Sequence, residues 1–213
     1  MTEQRKLYFN KRAQRLVENL KNRHFDAFYC ETKEEALKMA LSLIPEGASV
    51  GWGGAMSAGQ IGLQDAIRNG NYCAIDRESS KTVEEKAQAA KECMFADFFI
   101  TGANALSLDG QMVNIDGMGN RVSAIVFGPT NIIVVAGMNK VCDSLDSAIV
   151  RARTVAAPIN NQRFPNNNTP CQHTGICADC RSESCICNQI LITRHCRPAG
   201  RIKFILVGED LGL

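Results

Sequence analysis

Apolar positions at helical spacing open the chain. Phe9, Ala13, Leu16, Val17 and Leu20 recur every three or four residues, which predicts an amphipathic helix over about residues 5–23. Its other face carries Lys11, Arg12, Arg15 and Lys21, as a solvated helix face does. Ala27 to Cys30 is a short apolar stretch with strand character. Thr32 with Glu35 has the form of a capping box, and the helix it opens runs to about Ile44, where Pro45 stops it. Val50 begins a second strand that feeds a glycine-rich stretch. A helix follows from about Ser57 to Asn69, then a strand over Tyr72 to Ile75. Val83, Ala87, Ala90 and Met94 mark a further helix, and Asp97 to Thr101 the next strand. Alternation of strand and helix implies a mainly parallel sheet with right-handed crossovers.

The rhythm then changes. Leu106 to Leu108, the Asp109-Gly110 pair and Met112 to Ile115 read as a β-hairpin, since Asp-Gly supports a tight turn. Val122, Ala124 and Val126 alternate as a strand would. Ile132 to Ala136 is a continuous apolar run, typical of a strand covered on both faces. Val141, Leu145, Ile149, Ala152 and Val155 return to helical spacing, and Pro158 to Pro170, rich in Asn and Pro, predicts a loop. Ile190 and Ile192 suggest a short strand, and Ile202 to Val207 a strong final one. The expectation is one α/β domain over residues 1–213, with a cysteine-rich segment over about 170–196.

A chain of 213 residues is long enough to bury a sizeable core. Its net charge of +2 gives no polyanion signature, and no nucleic-acid partner is expected. No apolar run approaches the roughly 18 residues of a membrane span, and Met1 to Asn10 lack the apolar core of a secretory signal. The expected location is the cytoplasm, with no membrane partner.

Cysteine changes the picture. There are ten, and six lie between Cys171 and Cys196. Cys30, Cys73, Cys93 and Cys142 sit in core-like segments, where a thiol behaves as a small buried hydrophobe. A disulfide scaffold spreads its cysteines over a small secreted chain, whereas one dense cluster after a well-formed core reads as a metal site.

Three stretches can carry chemistry. The first, Val50 to Ser57, leads from a strand through Gly51, Gly53 and Gly54 into a helix. Its glycines let the backbone approach a ligand, and the helix start presents free N–H groups to an anion. Ser57 either caps that helix or meets the anion, and Trp52 either lies over the pocket or fills core. The pattern is neither a dinucleotide-binding fingerprint nor a P-loop. The second stretch runs from Gly102 to Arg121. Asp109 and Asp116 are turn formers first and candidate acid–base groups second. Asn120 and Arg121 follow two glycines, and Arg121 is suited to a carboxylate or phosphate. The third is the cysteine segment. Cys177 and Cys180 form a two-residue-spaced knuckle, and Cys171 and Cys187 are plausible further ligands. The spacing is neither that of bacterial ferredoxins nor a standard zinc finger. Soft thiolates suit both zinc and an iron–sulfur cluster. His173 reads as a bystander, and His24 and His195 as surface or structural residues.

Several stretches resemble the LUD-domain family, named for lactate utilisation: Gly102-Ala-Asn-Ala-Leu-Ser-Leu-Asp-Gly110, Val113-Asn-Ile-Asp-Gly-Met-Gly-Asn-Arg121, Phe127-Gly-Pro-Thr-Asn-Ile-Ile-Val-Val-Ala-Gly137, Pro170-Cys-Gln-His-Thr-Gly-Ile-Cys-Ala-Asp-Cys180 and Gly200-Arg-Ile-Lys-Phe-Ile-Leu-Val-Gly-Glu209. The resemblance implies a fold similar to NagB, RpiA and CoA transferases, an open, mainly parallel sheet flanked by helices with a ligand cleft at the strand ends. It places the glycine-rich turn where that superfamily holds a phosphate or carboxylate. It also implies Cys171, Cys177, Cys180 and Cys187 as the shared cysteines, and leaves Cys185 at an ordinary position. The glutamate nucleophile of CoA transferases has no counterpart here.

The implied role is that of a subunit or accessory factor in lactate or organic-acid oxidation. It would bind a small anionic metabolite beside iron–sulfur or flavoprotein partner subunits, and a homo-oligomer is compatible. A free-standing enzyme on a sugar phosphate is the alternative. It needs a carboxylate near the glycine turn, from Asp109, Asp116, Glu84 or Glu85. A metal- or redox-sensing module is the third reading.

Overall fold

The run from Ile132 to Ala136 has no polar position because it lies inside a sheet covered on both faces. In a computed structural model describing residues 1–213, β7 (Asn131–Gly137) pairs in parallel with β4 (Phe98–Gly102) on one side and β10 (Ile202–Val207) on the other. With β1 (Asp26–Cys30), β2 (Ser49–Gly53) and β3 (Cys73–Ile75) the sheet order is β1-β10-β7-β4-β2-β3, parallel throughout. Successive side chains face opposite sides. Ile132, Val134, Phe204 and Leu206 point to a layer formed by α1 (Glu3–Asn22) and α6 (Asn120–Phe127). Ile133, Val135, Ile205 and Val207 point to α2 (Lys33–Ser42), α3 (Met56–Gln60) and α4 (Leu63–Asn69). Each fully buried Leu, Ile or Val contributes about 1.5–3 kcal/mol over its exposed state.

The predicted hairpin is β5 (Ala105–Ser107) with β6 (Met112–Asp116), antiparallel. Gly110 turns it at a φ of +92°. A Cβ at Gly110 would come within 2.9 Å of the Asn19 backbone, so α1 passes tightly over the turn. β8 (Val141–Cys142) and β9 (Gln189–Thr193) complete a second sheet, β8-β5-β6-β9. It buries Ala105, Val113 and Ile115 against Ala148, Ala152 and Ala157 of α7 (Leu145–Arg151) and its continuation through α8 (Ala157–Asn161). The segment after Pro158 is thus partly helical, and α9 (Pro170–Thr174) follows a turn.

The stretch predicted as a strand at Val122, Ala124 and Val126 is instead the helix α6. Gly119, at a φ of +84°, turns the chain into it. Asp116 then accepts the open amides of Arg121 at 3.0 Å and Val122 at 3.1 Å, donors that a helix start leaves unpaired. Val122, Ala124 and Ile125 are buried, whereas Val126 and Phe127 are exposed. The helix predicted over 57–69 breaks at Gly62, where φ is +80°. Thr32 accepts the Glu35 amide, but the Glu35 carboxylate turns to the Glu31 amide, so the box closes one residue early. α5 (Val83–Glu92) forms as predicted yet buries no side chain. Cys30 and Cys93 are buried, but Cys73 is exposed.

Candidate functional site

A cleft of about 430 Å³ opens at the carboxyl ends of β2, β4 and β7, where open α/β sheets bind ligands. β2 delivers Trp52, Gly53 and Gly54, the segment after β4 delivers Ala103 and Asn104, and the turn after β7 delivers Lys140. Asp116, Asn120 and Arg121 enter from the junction of β6 and α6.

Three cations gather on one dipeptide of the cleft wall. Lys140 Nζ donates to the Ala103 carbonyl at 3.0 Å and to Ser57 Oγ at 3.1 Å. Arg121 Nη2 donates to Asn104 Oδ1 at 3.2 Å and to the Ile115 carbonyl. Arg151 Nη1 donates to the Asn104 carbonyl at 2.5 Å. Burial pushes the Lys140 ammonium down to about 7, and Arg151 and Arg121 add to the effect. Burial likewise lowers the Arg121 guanidinium, against the attraction of Asp116.

The nearby carboxylate is already engaged. Asp116 accepts from the Gly117 amide at 2.8 Å as well as from the Arg121 and Val122 amides, and its distance to Arg121 Nε is 4.0 Å. Glu78, at the rim, is paired with Arg68 at 3.2 Å. Trp52 is 2 % exposed and stacks under Arg68 at 5.2 Å, and its indole N–H has no partner. A buried unpaired donor costs about 1–3 kcal/mol, which makes it notable on a residue lining a cleft.

Gly53, Gly54, Asn120, Arg121 and Asp116 line the cleft. Gly54 has a φ of +59°, and a Cβ there would lie 2.5 Å from Arg121 Nη1, so only glycine lets the guanidinium pack against the turn. Gly51 faces away. A Cβ on it would strike Cys93 Sγ at 2.5 Å, so its role is packing. Ser57 is buried and caps nothing, its hydroxyl being held by Lys140. Asp109 lies at the hairpin turn under α1, bonded by Ser107, Gln111 and Arg23. Burial works to raise it, but those bonds together hold it below the usual carboxylate range. Glu85 closes the capping box of α5, and Glu84 does not line the cleft.

Sequence reasoning missed Lys140. It stands three residues beyond the buried strand β7, and strand ends of this kind face the ligand cleft. Taking the next helix to begin at Val141 hid that position.

The cysteine segment folds over a second, smaller cavity of about 70 Å³, lined by Cys171, Cys177, Cys180, Cys185 and Cys187 together. Asp179 takes a φ of +51° within the Cys177–Cys180 knuckle, and Arg153 ties it to the helix at 2.5 Å. Burial, then the neighbouring Cys185, Cys171 and Cys177, push the Cys187 thiol up to about 12. The donor set has the soft chemistry of a metal site, although no three Cys, His, Asp or Glu side chains stand close enough to hold one ion. Cys196 lies apart, buried in the main core. Ile115 and Ile186 line both cavities, so the cleft and the thiol cavity share a wall.

No helix is long and apolar enough to cross a membrane. Comparison with curated proteins gives no match. Among solved structures, a DUF162 family protein from Deinococcus radiodurans superposes over 93% of this chain and 97% of its own, at a TM-score of 0.52 and 12% identity. Ribose 5-phosphate isomerase A from Neisseria gonorrhoeae covers 53% of this chain and 54% of its own, at a TM-score of 0.34 and 19% identity. eIF2B delta from Chaetomium thermophilum covers 63% and 54%, at 0.36 and 12%. The LUD domain model matches residues 13–207, and the chain belongs to the LUD-domain family.

Proposed function

We propose that the cleft binds a small organic acid anion, in the setting of lactate or organic-acid oxidation that gives the family its name. One observation carries this reading: Lys140 and Arg121 line the cleft and, with Arg151 behind its wall, converge on Ala103-Asn104, and against them stands one neighbouring carboxylate, Asp116, which faces Arg121 Nε at 4.0 Å while accepting three backbone amides. The two guanidiniums, with the share of Lys140 that stays protonated near its value of about 7, exceed that one carboxylate, and an anion entering the cleft would offset the excess. Arg121 Nη1 and Asn120 supply donors.

Cys171, Cys177, Cys180 and Cys187 line one cavity and would hold zinc or an iron–sulfur cluster only by drawing together from their present places around it. Zinc would brace the segment, whereas a cluster would pass electrons to or from partner subunits carrying iron–sulfur or flavin groups. A dense thiol cluster suited to a metal fits a reducing compartment such as the cytoplasm.

Calorimetry with lactate, pyruvate and ribose 5-phosphate tests the anion reading. Lactate or pyruvate binds, and Arg121→Met weakens it by about 1.5–3 kcal/mol, a loss of ten-fold or more. Binding of none of the three, or of ribose 5-phosphate alone, contradicts it. Anaerobic purification with metal analysis and a visible spectrum tests the thiol site. A brown, iron-containing protein supports electron transfer, a colourless zinc protein supports bracing, and a metal-free protein removes both.

A further inference from the structure

A lysine kept only for structure is ordinarily paired with a carboxylate or extends to water. Lys140 does neither. It is 4 % exposed, lines the cleft, and hydrogen-bonds only uncharged oxygens, Ser57 Oγ and the Ala103 carbonyl. The adjacent residue, Asn104, holds Arg121 and Arg151 by its side chain and carbonyl, so the charges nearest the amine are positive. Desolvation beside other cations is the setting that turns a lysine into a nucleophile. Arg121, meanwhile, is suited to a carboxylate. An amine and a guanidinium anchored on consecutive residues suit a molecule with a carbonyl next to its carboxylate.

We propose that Lys140 captures 2-oxo acids as a covalent imine, with Arg121 holding the carboxylate and Ser57 relaying protons. The inference rests on the reading that the cleft binds small organic acid anions. The neutral amine attacks the carbonyl carbon, forming a C–N bond and moving the C=O π pair onto oxygen. The Ser57 hydroxyl, which already accepts from Nζ, passes a nitrogen proton to that oxygen and gives a carbinolamine. The second nitrogen proton leaves with the hydroxyl as water, and the C=N bond forms. No oxidant or reductant is consumed. A 2-hydroxy acid offers no carbonyl, so the site separates the two oxidation states of one carbon skeleton. The depressed Lys140 value supports the step, since at neutral pH its free-amine fraction exceeds that of an ordinary lysine by on the order of a thousand-fold.

The test incubates the full chain at neutral pH with pyruvate, 2-oxoglutarate or phenylpyruvate and sodium cyanoborohydride, then maps adducts by peptide mass spectrometry. With at least one of these acids, Lys140 is labelled at least about ten-fold more than any other lysine. Lys140→Arg loses that label, and excess lactate competes with it. Labelling spread evenly over surface lysines, or absent from Lys140 with all three acids, overturns the proposal. Calorimetry with lactate separates the two ideas. Lactate binding without Lys140 labelling rejects the imine alone, whereas absence of both rejects the anion site as well.

Discussion

At the scale of single residues, Lys140 ties stability to pH. Its value in the folded protein lies near 7, below the ordinary 10.5. Between those values the unfolded chain holds more protons than the folded one, so this group's contribution to stability rises with pH across that window. Replacing Lys140 with Met removes the penalty. The variant's unfolding free energy relative to wild type is therefore highest at or below about pH 7 and falls by a few kcal/mol toward about pH 10. Denaturant unfolding at several pH values reads this directly, and a flat difference contradicts it. Gly54→Ala acts on the neighbouring cation. Its Cβ would displace the Arg121 guanidinium, so lactate or pyruvate affinity falls about ten-fold or more, while the left-handed φ adds about 1 kcal/mol of instability. Gly54 and Arg121 were legible in the sequence as candidates because a strand-to-helix glycine run and an arginine after two glycines suit a cleft wall, though Gly51 of the same run serves packing. Lys140 was not, because its neighbours Ser57, Ala103 and Arg151 are distant in sequence and only the fold makes it buried.

At the scale of elements, α6 shows how side-chain alternation misleads. Val122, Ala124 and Val126 have the spacing of a strand, yet a carboxylate six residues upstream of Val122 decides the outcome. Asp116→Ala would leave the amides of Gly117, Arg121 and Val122 without their acceptor. We expect a loss of about 1–2 kcal/mol in unfolding free energy, with Asp116→Asn losing less because its amide oxygen still accepts. Hydrogen exchange at the first turn of α6 should rise in the alanine variant, and unchanged protection there would deny Asp116 this role. The parallel strands were easier to read. β4, β7 and β10 are covered on both faces, which leaves continuous apolar runs. β3 and α5 bury little, and α5 was read from a periodicity that packing barely uses.

At the scale of the whole molecule, the two cavities come from distant parts of the chain. The thiol cavity assembles residues 171–187 over the end of α7–α8, and its wall of Ile115 and Ile186 is also the wall of the larger cleft. The cysteine spacing made a cluster legible, but nothing in it showed that Cys185 lines the same cavity or that the cluster lies back to back with the cleft. Metal binding should slow hydrogen exchange across residues 170–193 and raise the unfolding temperature. Cys177→Ser should abolish both effects, and Cys185→Ser should retain the metal if the four shared cysteines suffice. Loss of metal in the Cys185 variant would make it a ligand.

The proposed organic acid anion would sit among Arg121, Lys140 and the Gly53-Gly54 turn. An amide chemical-shift titration with pyruvate locates it most directly. Saturable shifts should concentrate at Gly53, Gly54, Asn104 and Asn120 and vanish in Arg121→Met. Shifts confined to other surfaces, or unchanged by that substitution, would contradict it.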